Sequence, residues 1–149
     1  LKNFKIYKDS DKCIKALNSK GFKTIVVTNQ PDVERKLISH NTLRKMHKIL
    51  KNKTNVTKIF FCPHTSKNKC NCRKPKTGML LKASKMLNIN LKKSYMIGDR
   101  KIDIICGNRA GCKSIFINRN YIEKKPTTQV TSVKNIYEAT NFILKDIRK

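Results

Sequence analysis

The sequence lacks any apolar run near the length of about 20 residues that a membrane-spanning helix needs. Its first five residues, LKNFK, also lack the apolar core of a secretory signal peptide. We therefore expect neither a membrane partner nor export. The six cysteines fit a reducing, cytoplasmic setting better than an oxidising one. A monomer is the default expectation.

Acidic residues are scarce, with nine Asp and Glu against 35 Lys and Arg, and the formal net charge is +26 at pH 7. Such a charge can indicate nucleic-acid binding. However, only seven of the basic residues are arginine, and the lysines are scattered, without the interleaved aromatic residues on which single-strand binders stack bases. We expect solvated helix faces and loops to explain most of the charge, and nucleic acid is the less favoured partner.

Helical and strand patterns alternate along the chain, whose 149 residues suit one domain over 1–149. Apolar residues at helical spacing predict helices over 10–20, 39–52, 77–87, 102–110 and 136–147. Short apolar runs predict strands over 22–30, 56–61, 94–97 and 113–117, and 118–131 is predicted to be a polar loop. This order predicts an α/β fold with a parallel sheet and right-handed crossover helices.

Three cysteines and one histidine lie close together in the middle of the chain: Cys62, His64, Cys70 and Cys72. Thiolate and imidazole are the ligands that Zn²⁺ prefers, and four of them make a closed, structural site. The spacing differs from a common zinc finger, and a reduced cysteine cluster without metal is the alternative. We predict a zinc loop over 62–72, which would hold Arg73 and Lys74 in a fixed place. The other three cysteines, Cys13, Cys106 and Cys112, are expected to be buried.

Polar side chains follow the predicted strands where each strand ends. Thr28 and Asn29 end the first strand, Lys74 follows the zinc loop, and Asp99 follows the third strand. Ligands of open α/β sheets bind beyond the carboxyl ends of the strands. A hydroxyl, an amide and a cation suit a phosphoryl group, and a nearby carboxylate suits Mg²⁺. The set contains no nucleophile. An ordinary strand-to-loop turn is the less favoured alternative for residues 28–29.

Several motifs follow one another in an informative order: Val27-Thr28-Asn29-Gln30, Cys62-Pro63-His64, Cys70-x-Cys72-Arg73-Lys74-Pro75, Gly98-Asp99 with Asp103, and Ala110-Gly111-Cys112. Together they resemble phosphatases of the haloacid-dehalogenase (HAD) superfamily, of the histidinol-phosphatase and heptose-bisphosphate-phosphatase type. The resemblance spans nearly the whole chain, and the zinc-loop motif with its Arg-Lys-Pro is the most specific part. It implies a HAD-like three-layer α/β fold with a parallel central sheet and a zinc-binding loop.

The resemblance also implies an activity and a set of residue roles. The activity is Mg²⁺-dependent hydrolysis of a sugar bisphosphate, with loss of the 7-phosphate of a heptose 1,7-bisphosphate, through an aspartyl-phosphate. Histidinol phosphate and a nucleic-acid 3′-phosphate are alternative substrates. The implied roles are substrate binding by Thr28, Asn29, Gln30, Arg35 and Arg73, charge stabilisation by Lys74, Mg²⁺ ligation by Asp99 with Asp103 orienting that site, and structural zinc at Cys62, His64, Cys70 and Cys72.

One element of the family pattern is absent. The family's nucleophile and general acid come from an Asp-x-Asp motif that ends the first, central strand. The one Asp-x-Asp here, Asp9-Ser10-Asp11, lies 17 residues before Thr28, roughly half the family's distance. We expect this segment to begin a helix, and the catalytic aspartates to lie upstream of Leu1 in a first strand missing from this sequence.

Two consequences are expected from the missing motif. The 149 residues alone should not hydrolyse phosphate esters, because attack by an aspartate is the covalent step. They should also be less stable, because a central parallel strand would be absent from the sheet.

A competing hypothesis from another class is a non-catalytic, zinc-stabilised basic module that binds nucleic acid. This hypothesis explains both the charge and the missing nucleophile. It does not explain why polar groups suited to phosphate stand at several strand ends.

Overall fold

The chain folds into two compact units, residues 1–73 and 74–149, in a computed structural model that describes all 149 residues. Helices and strands alternate in both units, and every predicted helix and strand is present. The predicted α/β class with parallel strands is therefore confirmed, and the strands form one sheet in each unit. That residues 1–149 make a single domain stays a prediction. None of the helices is long and apolar enough to cross a bilayer.

The first unit contains two helices and a two-stranded parallel sheet: α1 (Ser10–Ser19), β1 (Ile25–Asn29), α2 (His40–Thr54) and β2 (Lys58–Cys62). The register pairs Ile25 with Lys58 and Asn29 with Cys62. Both strands therefore end at the same edge of the sheet. Leu17 of α1, Leu43 of α2 and Phe60 of β2 are buried, so apolar side chains of both helices and of the sheet contribute to the core of this unit.

The starts of the two helices differ in how their backbone groups are satisfied. Asp9 precedes α1 in a left-handed conformation with φ 64° and makes no side-chain cap, and α1 begins at Ser10. The prediction that residues 9–11 begin a helix is confirmed. In α2, the Ser39 hydroxyl accepts a hydrogen bond from the Thr42 N–H at 3.0 Å, which satisfies one of the donors left unpaired at a helix start.

The second unit contains a three-stranded parallel sheet in the order β3–β4–β5. Its elements are α3 (Gly78–Leu87), a short 3₁₀ turn (Leu91–Lys93), β3 (Tyr95–Gly98), α4 (Lys101–Arg109), β4 (Lys113–Ile117), β5 (Thr131–Val133) and α5 (Ile136–Asp146). Residues 114–117 of the middle strand, β4, are all buried. This apolar run matches a strand that is covered on both faces.

Close packing of α4 against its sheet depends on Gly107. A Cβ atom at this position would lie 2.4 Å from the Ser114 Oγ and 2.5 Å from the Met96 Cβ. Only the absence of a side chain therefore lets the helix backbone approach β3 and β4 so closely. Cys106 and Cys112 are buried in the same unit and Cys13 is buried in the first, as predicted. No disulfide links any of the six cysteines.

Candidate functional site

The first group of site residues lies at the end of β1. Asn29 is beside Cys62 in the sheet, and the Gln30 N–H donates to the Cys62 carbonyl at 2.7 Å. The Gln30 side-chain amide donates to the Thr28 hydroxyl oxygen at 3.0 Å. Because this oxygen acts as an acceptor, the Thr28 hydroxyl can direct its own proton toward a ligand. The half-buried Thr28, Asn29 and Gln30 thus form a set of small donors at one sheet edge.

The structure brings the two halves of the predicted zinc loop together. One ligand atom from each of Cys62, His64, Cys70 and Cys72 lies within 4.8 Å of all the others. The Cys62 Sγ is 3.7 Å from the Cys70 Sγ and 3.5 Å from the His64 Nδ1. A zinc tetrahedron with Zn–S of about 2.3 Å and Zn–N of about 2.0 Å has edges of about 3.8 and 3.5 Å. The Cys62–Cys72 edge is tighter, at 2.9 Å.

The thiols of this cluster differ in acidity. Burial, with hydrogen bonding to Cys72, raises the pKa of Cys62 to about 12. Burial acts in the same direction on Cys70, but hydrogen bonds from the backbone of Arg73 and the side chain and backbone of Cys72 outweigh it and lower the pKa of Cys70 to about 6. A metal ion binds the thiolate form, so binding must displace a proton from Cys62.

The two arginines with implied substrate roles lie in different settings. The Arg73 guanidinium donates to the His64 carbonyl at 3.1 Å, which fixes it against the zinc loop. The Arg35 guanidinium pairs with Asp32 at 3.2 Å, and both side chains of this pair are about half exposed. The Arg73 side chain therefore contacts the loop over 62–72, whereas Arg35 is on the surface in the loop that follows β1.

In the second unit, Lys74 and Asp103 form a buried ion pair. The Lys74 Nζ is 2.7 Å from the Asp103 Oδ1, and the two side chains are only 12% and 8% exposed. The other carboxylate oxygen accepts from the Arg100 N–H at 3.1 Å at the start of α4. A Cβ atom on Gly98 would lie 2.2 Å from the Asp103 Cβ, so the glycine makes room for this carboxylate.

Asp99 lies just past the end of β3 and faces different partners. Its Oδ2 accepts from the Tyr121 hydroxyl at 3.0 Å and is 3.6 Å from the Arg119 Nε. The Tyr121 ring also lies under the Arg100 guanidinium, 5.2 Å away. The loop after β4 thus folds over the turn that carries Asp99. No sequence motif marks Arg119 and Tyr121, but both follow the end of β4, where the rule that ligands bind past strand ends applies as well.

The predicted site residues therefore fall into two groups, one in each unit. Thr28, Asn29 and Gln30 share the first unit with the zinc-loop residues and Arg73, and Lys74 shares the second with Asp103 and Asp99. Within the second group, Lys74 contacts Asp103, and Asp99 pairs with Arg119 and Tyr121.

Comparison with known proteins places these residues in a family context. A family model described as HAD-hydrolase-like matches residues 71–148. The D-glycero-beta-D-manno-heptose-1,7-bisphosphate 7-phosphatase of Haemophilus influenzae is 32% identical over 137 residues, which cover 85% of this chain and 73% of the relative. The bifunctional histidine biosynthesis protein HisB of Blochmanniella floridana is 36% identical over 143 residues, 89% of this chain but 40% of that protein.

A solved structure shares the fold. The D,D-heptose 1,7-bisphosphate phosphatase from B. bronchiseptica, crystallised with magnesium and phosphate, superposes with a TM-score of 0.84. The match covers 94% of this chain and 84% of the other, at 21% sequence identity. At this identity the similarity establishes the common fold.

Proposed function

Because the chain belongs to the HAD-like hydrolase family and is a phosphatase, we propose that it removes the 7-phosphate from a D-glycero-D-manno-heptose 1,7-bisphosphate. The observation that carries this proposal is in two parts. The polar end of β1 lies beside the Cys–His loop in one unit, and Lys74 forms a buried ion pair with Asp103 in the other. The names of the Haemophilus influenzae relative and of the B. bronchiseptica structure support the sugar. The HisB relative supports histidinol phosphate as an alternative, more weakly, since less than half of that protein is matched.

In the proposed mechanism the residues of the chain bind and orient the phosphoryl group. Thr28 and Asn29 donate hydrogen bonds to its oxygens, and Gln30 holds the Thr28 hydroxyl in position. Lys74 offsets the negative charge that develops during transfer, and its buried pairing with Asp103 fixes the ammonium group. Arg73 and Arg35 are proposed to bind the rest of the substrate, outside the transferred phosphoryl group. The nucleophile is an aspartate, as in the family, and the prediction that residues 1–149 alone are inactive is part of this proposal.

Mg²⁺ is the proposed catalytic metal, and Asp99 is the residue of this chain that would hold it. Carboxylate oxygen is the ligand type that Mg²⁺ prefers. Tyr121 and Arg119 engage the Asp99 Oδ2, so Oδ1 is the oxygen that would hold the cation. Both oxygens of Asp103 are occupied by Lys74 and the Arg100 N–H, so Asp103 fits an orienting role and not direct ligation. When bound, the metal would supply positive charge to the transferring phosphoryl group.

Zn²⁺ is the proposed structural metal of the loop over residues 62–72. The donor set of three thiols and one imidazole suits a closed tetrahedral site, and the Cys62–Cys70 and Cys62–His64 edges match its dimensions. The 2.9 Å Cys62–Cys72 edge would lengthen when the metal binds. Its role would be to hold Arg73, through the bond to the His64 carbonyl, and the chain that leads to Lys74. The cysteines form no disulfide, which supports a reducing, cytoplasmic compartment as part of the same proposal.

Phosphate release from the heptose 1,7-bisphosphate by the protein expressed from its native gene tests this function. We expect Mg²⁺-dependent loss of the 7-phosphate, abolished by Lys74→Ala and retained in Lys76→Ala, a matched change at a neighbouring exposed lysine. If histidinol phosphate is hydrolysed faster than the heptose 1,7-bisphosphate, histidinol phosphate takes the place of the heptose as the proposed substrate. Binding to random DNA that falls steeply with salt, without any phosphatase activity, would instead favour the basic binding module.

A further inference from the structure

The Glu34 carboxylate connects two loops of the first unit. Glu34 lies in the loop between β1 and α2, and its Oε2 accepts from the Thr65 N–H at 2.5 Å. Its Oε1 accepts from the Asn68 side-chain amide at 3.0 Å. The Glu34 N–H in turn donates to the Pro63 carbonyl at 3.2 Å. Three hydrogen bonds from one residue therefore join the loop over 30–38 to the Cys–His loop.

These bonds hold the part of the Cys–His loop that separates its two pairs of ligands. Thr65 and Asn68 lie between His64 and Cys70, and the Asn68 N–H also donates to the Thr65 carbonyl at 3.2 Å, which closes a turn. Ordering such a connection before the metal arrives lowers the conformational entropy that is lost on binding. Hydrogen bonds to an ionised carboxylate are also stronger than bonds between neutral groups.

We propose that Glu34 is a positioning residue that couples metal binding at the Cys–His cluster to the order of the loop over 30–38. This inference rests on the proposed zinc site. Glu34 fixes the turn over 65–68, and the fixed turn brings the ligand pair Cys62–His64 to the pair Cys70–Cys72. Because coupling between two sites is reciprocal, a bound metal stabilises the Glu34 contacts and hence the loop that carries them.

The loop over 30–38 carries proposed substrate-binding residues, so the coupling would link metal binding to the substrate site. It begins at Gln30, whose backbone N–H contacts the Cys62 carbonyl and whose side chain contacts Thr28. It also carries Arg35, whose N–H donates to the Pro31 carbonyl at 3.1 Å. Metal at the cluster would therefore hold the proposed phosphoryl-binding strand end and Arg35, as well as Arg73.

Zinc affinity of the 149-residue chain, measured by competition with a chromogenic chelator, tests the proposal. We expect Glu34→Ala to weaken zinc binding about tenfold, at the lower end of what residues supporting a metal site contribute. Glu34→Gln keeps one acceptor oxygen without the charge and should lie between Glu34→Ala and the unchanged chain. Asp32→Asn is the matched control, since Asp32 is an acidic residue of the same loop that pairs with Arg35. An affinity in Glu34→Ala within twofold of this control overturns the proposal.

Amide hydrogen exchange supplies a readout that general destabilisation would not reproduce. Removal of zinc should speed amide exchange at residues 32–38 and at Thr65, while exchange in β4 stays unchanged. In Glu34→Ala the loop should exchange fast in both states. If the loop of the unchanged chain exchanges at the same rate with and without zinc, the proposed coupling is wrong. Failure of that chain to bind zinc also overturns it. Neither assay depends on hydrolysis, so these outcomes leave the phosphatase proposal to its own test.

Discussion

Replacement of Asp103 with alanine should strongly destabilise the second unit. The Asp103 carboxylate makes both the 2.7 Å ion pair with Lys74 and the 3.1 Å bond to the Arg100 N–H that caps α4. The side chains of the pair are 12% and 8% exposed, so the change would leave the Lys74 ammonium group buried without its carboxylate.

The size of the effect follows from these contacts. Loss of one partner of a buried ion pair costs about 3–5 kcal/mol, because the remaining charge is uncompensated. Loss of a helix cap typically costs about 1 kcal/mol. The Lys74 side chain keeps 12% exposure, and this residual contact with water lowers the first figure, so we expect a total of about 3–5 kcal/mol. This is a large share of the roughly 5–15 kcal/mol by which a typical domain is stable.

Native-state hydrogen exchange of the buried β4 amides measures this loss for the second unit directly. The double variant Lys74→Met/Asp103→Leu should recover much of the stability, because it removes both charges and restores apolar contacts. Asp32→Asn is the control, since its pair with Arg35 is exposed and should contribute about 0–1 kcal/mol. A loss below about 1 kcal/mol in Asp103→Ala, or a double variant less stable than the single one, would refute the reasoning.

Three further predictions concern single contacts. Gly107→Ala should destabilise the second unit by about 1–3 kcal/mol by urea unfolding, because its Cβ would lie 2.5 Å from that of Met96; an unchanged midpoint would contradict the packing. Asp146→Asn should lower the melting temperature at pH 7, because hydrogen bonding to Lys113 lowers the pKa of Asp146 below 3.8. Because the folded-state pKa of Asp146 is lower than the unfolded-state pKa, its carboxylate stabilises the fold at pH values above the unfolded-state pKa. This stabilisation is lost as the pH falls from about 4 through the folded-state pKa, and the difference in melting temperature should disappear with it. A difference independent of pH would exclude the ion pair as its cause. Cys72→Ser should reduce zinc from about one per chain to none by elemental analysis, and full retention would remove Cys72 from the ligand set.

Strong local patterns predicted most of the fold. The helices α2 and α3 and the buried strand β4 each carry a long or strictly apolar pattern, and the structure places them within two residues of expectation. The prediction that residues 9–11 begin a helix is likewise confirmed. β5 was missed because it has three residues, mostly polar, and its identity as a strand depends on pairing of Thr131 with Ile115, which no local pattern records.

The candidate site was predictable where its residues are close in sequence. The Cys–His loop is a spacing motif, and the structure brings its four side chains together as that spacing predicts. The partners of Asp99 were not identified because Arg119 and Tyr121 reach it from a loop some 20 residues away. Glu34 was missed for the same reason, since its contacts to Thr65 and Asn68 span more than 30 residues. The metals and the residue roles stay predictions.

The most direct test of the proposed phosphatase is ³¹P NMR of D-glycero-D-manno-heptose 1,7-bisphosphate incubated with Mg²⁺ and the protein expressed from its native gene. The spectrum reports which phosphate is lost as well as the rate of its loss. We predict that the 7-phosphate signal is replaced by inorganic phosphate while the 1-phosphate remains, and that Lys74→Ala stops the conversion and Lys76→Ala does not. An unchanged spectrum with a protein that is folded and binds zinc, or equal conversion by the Lys74→Ala variant, would contradict it.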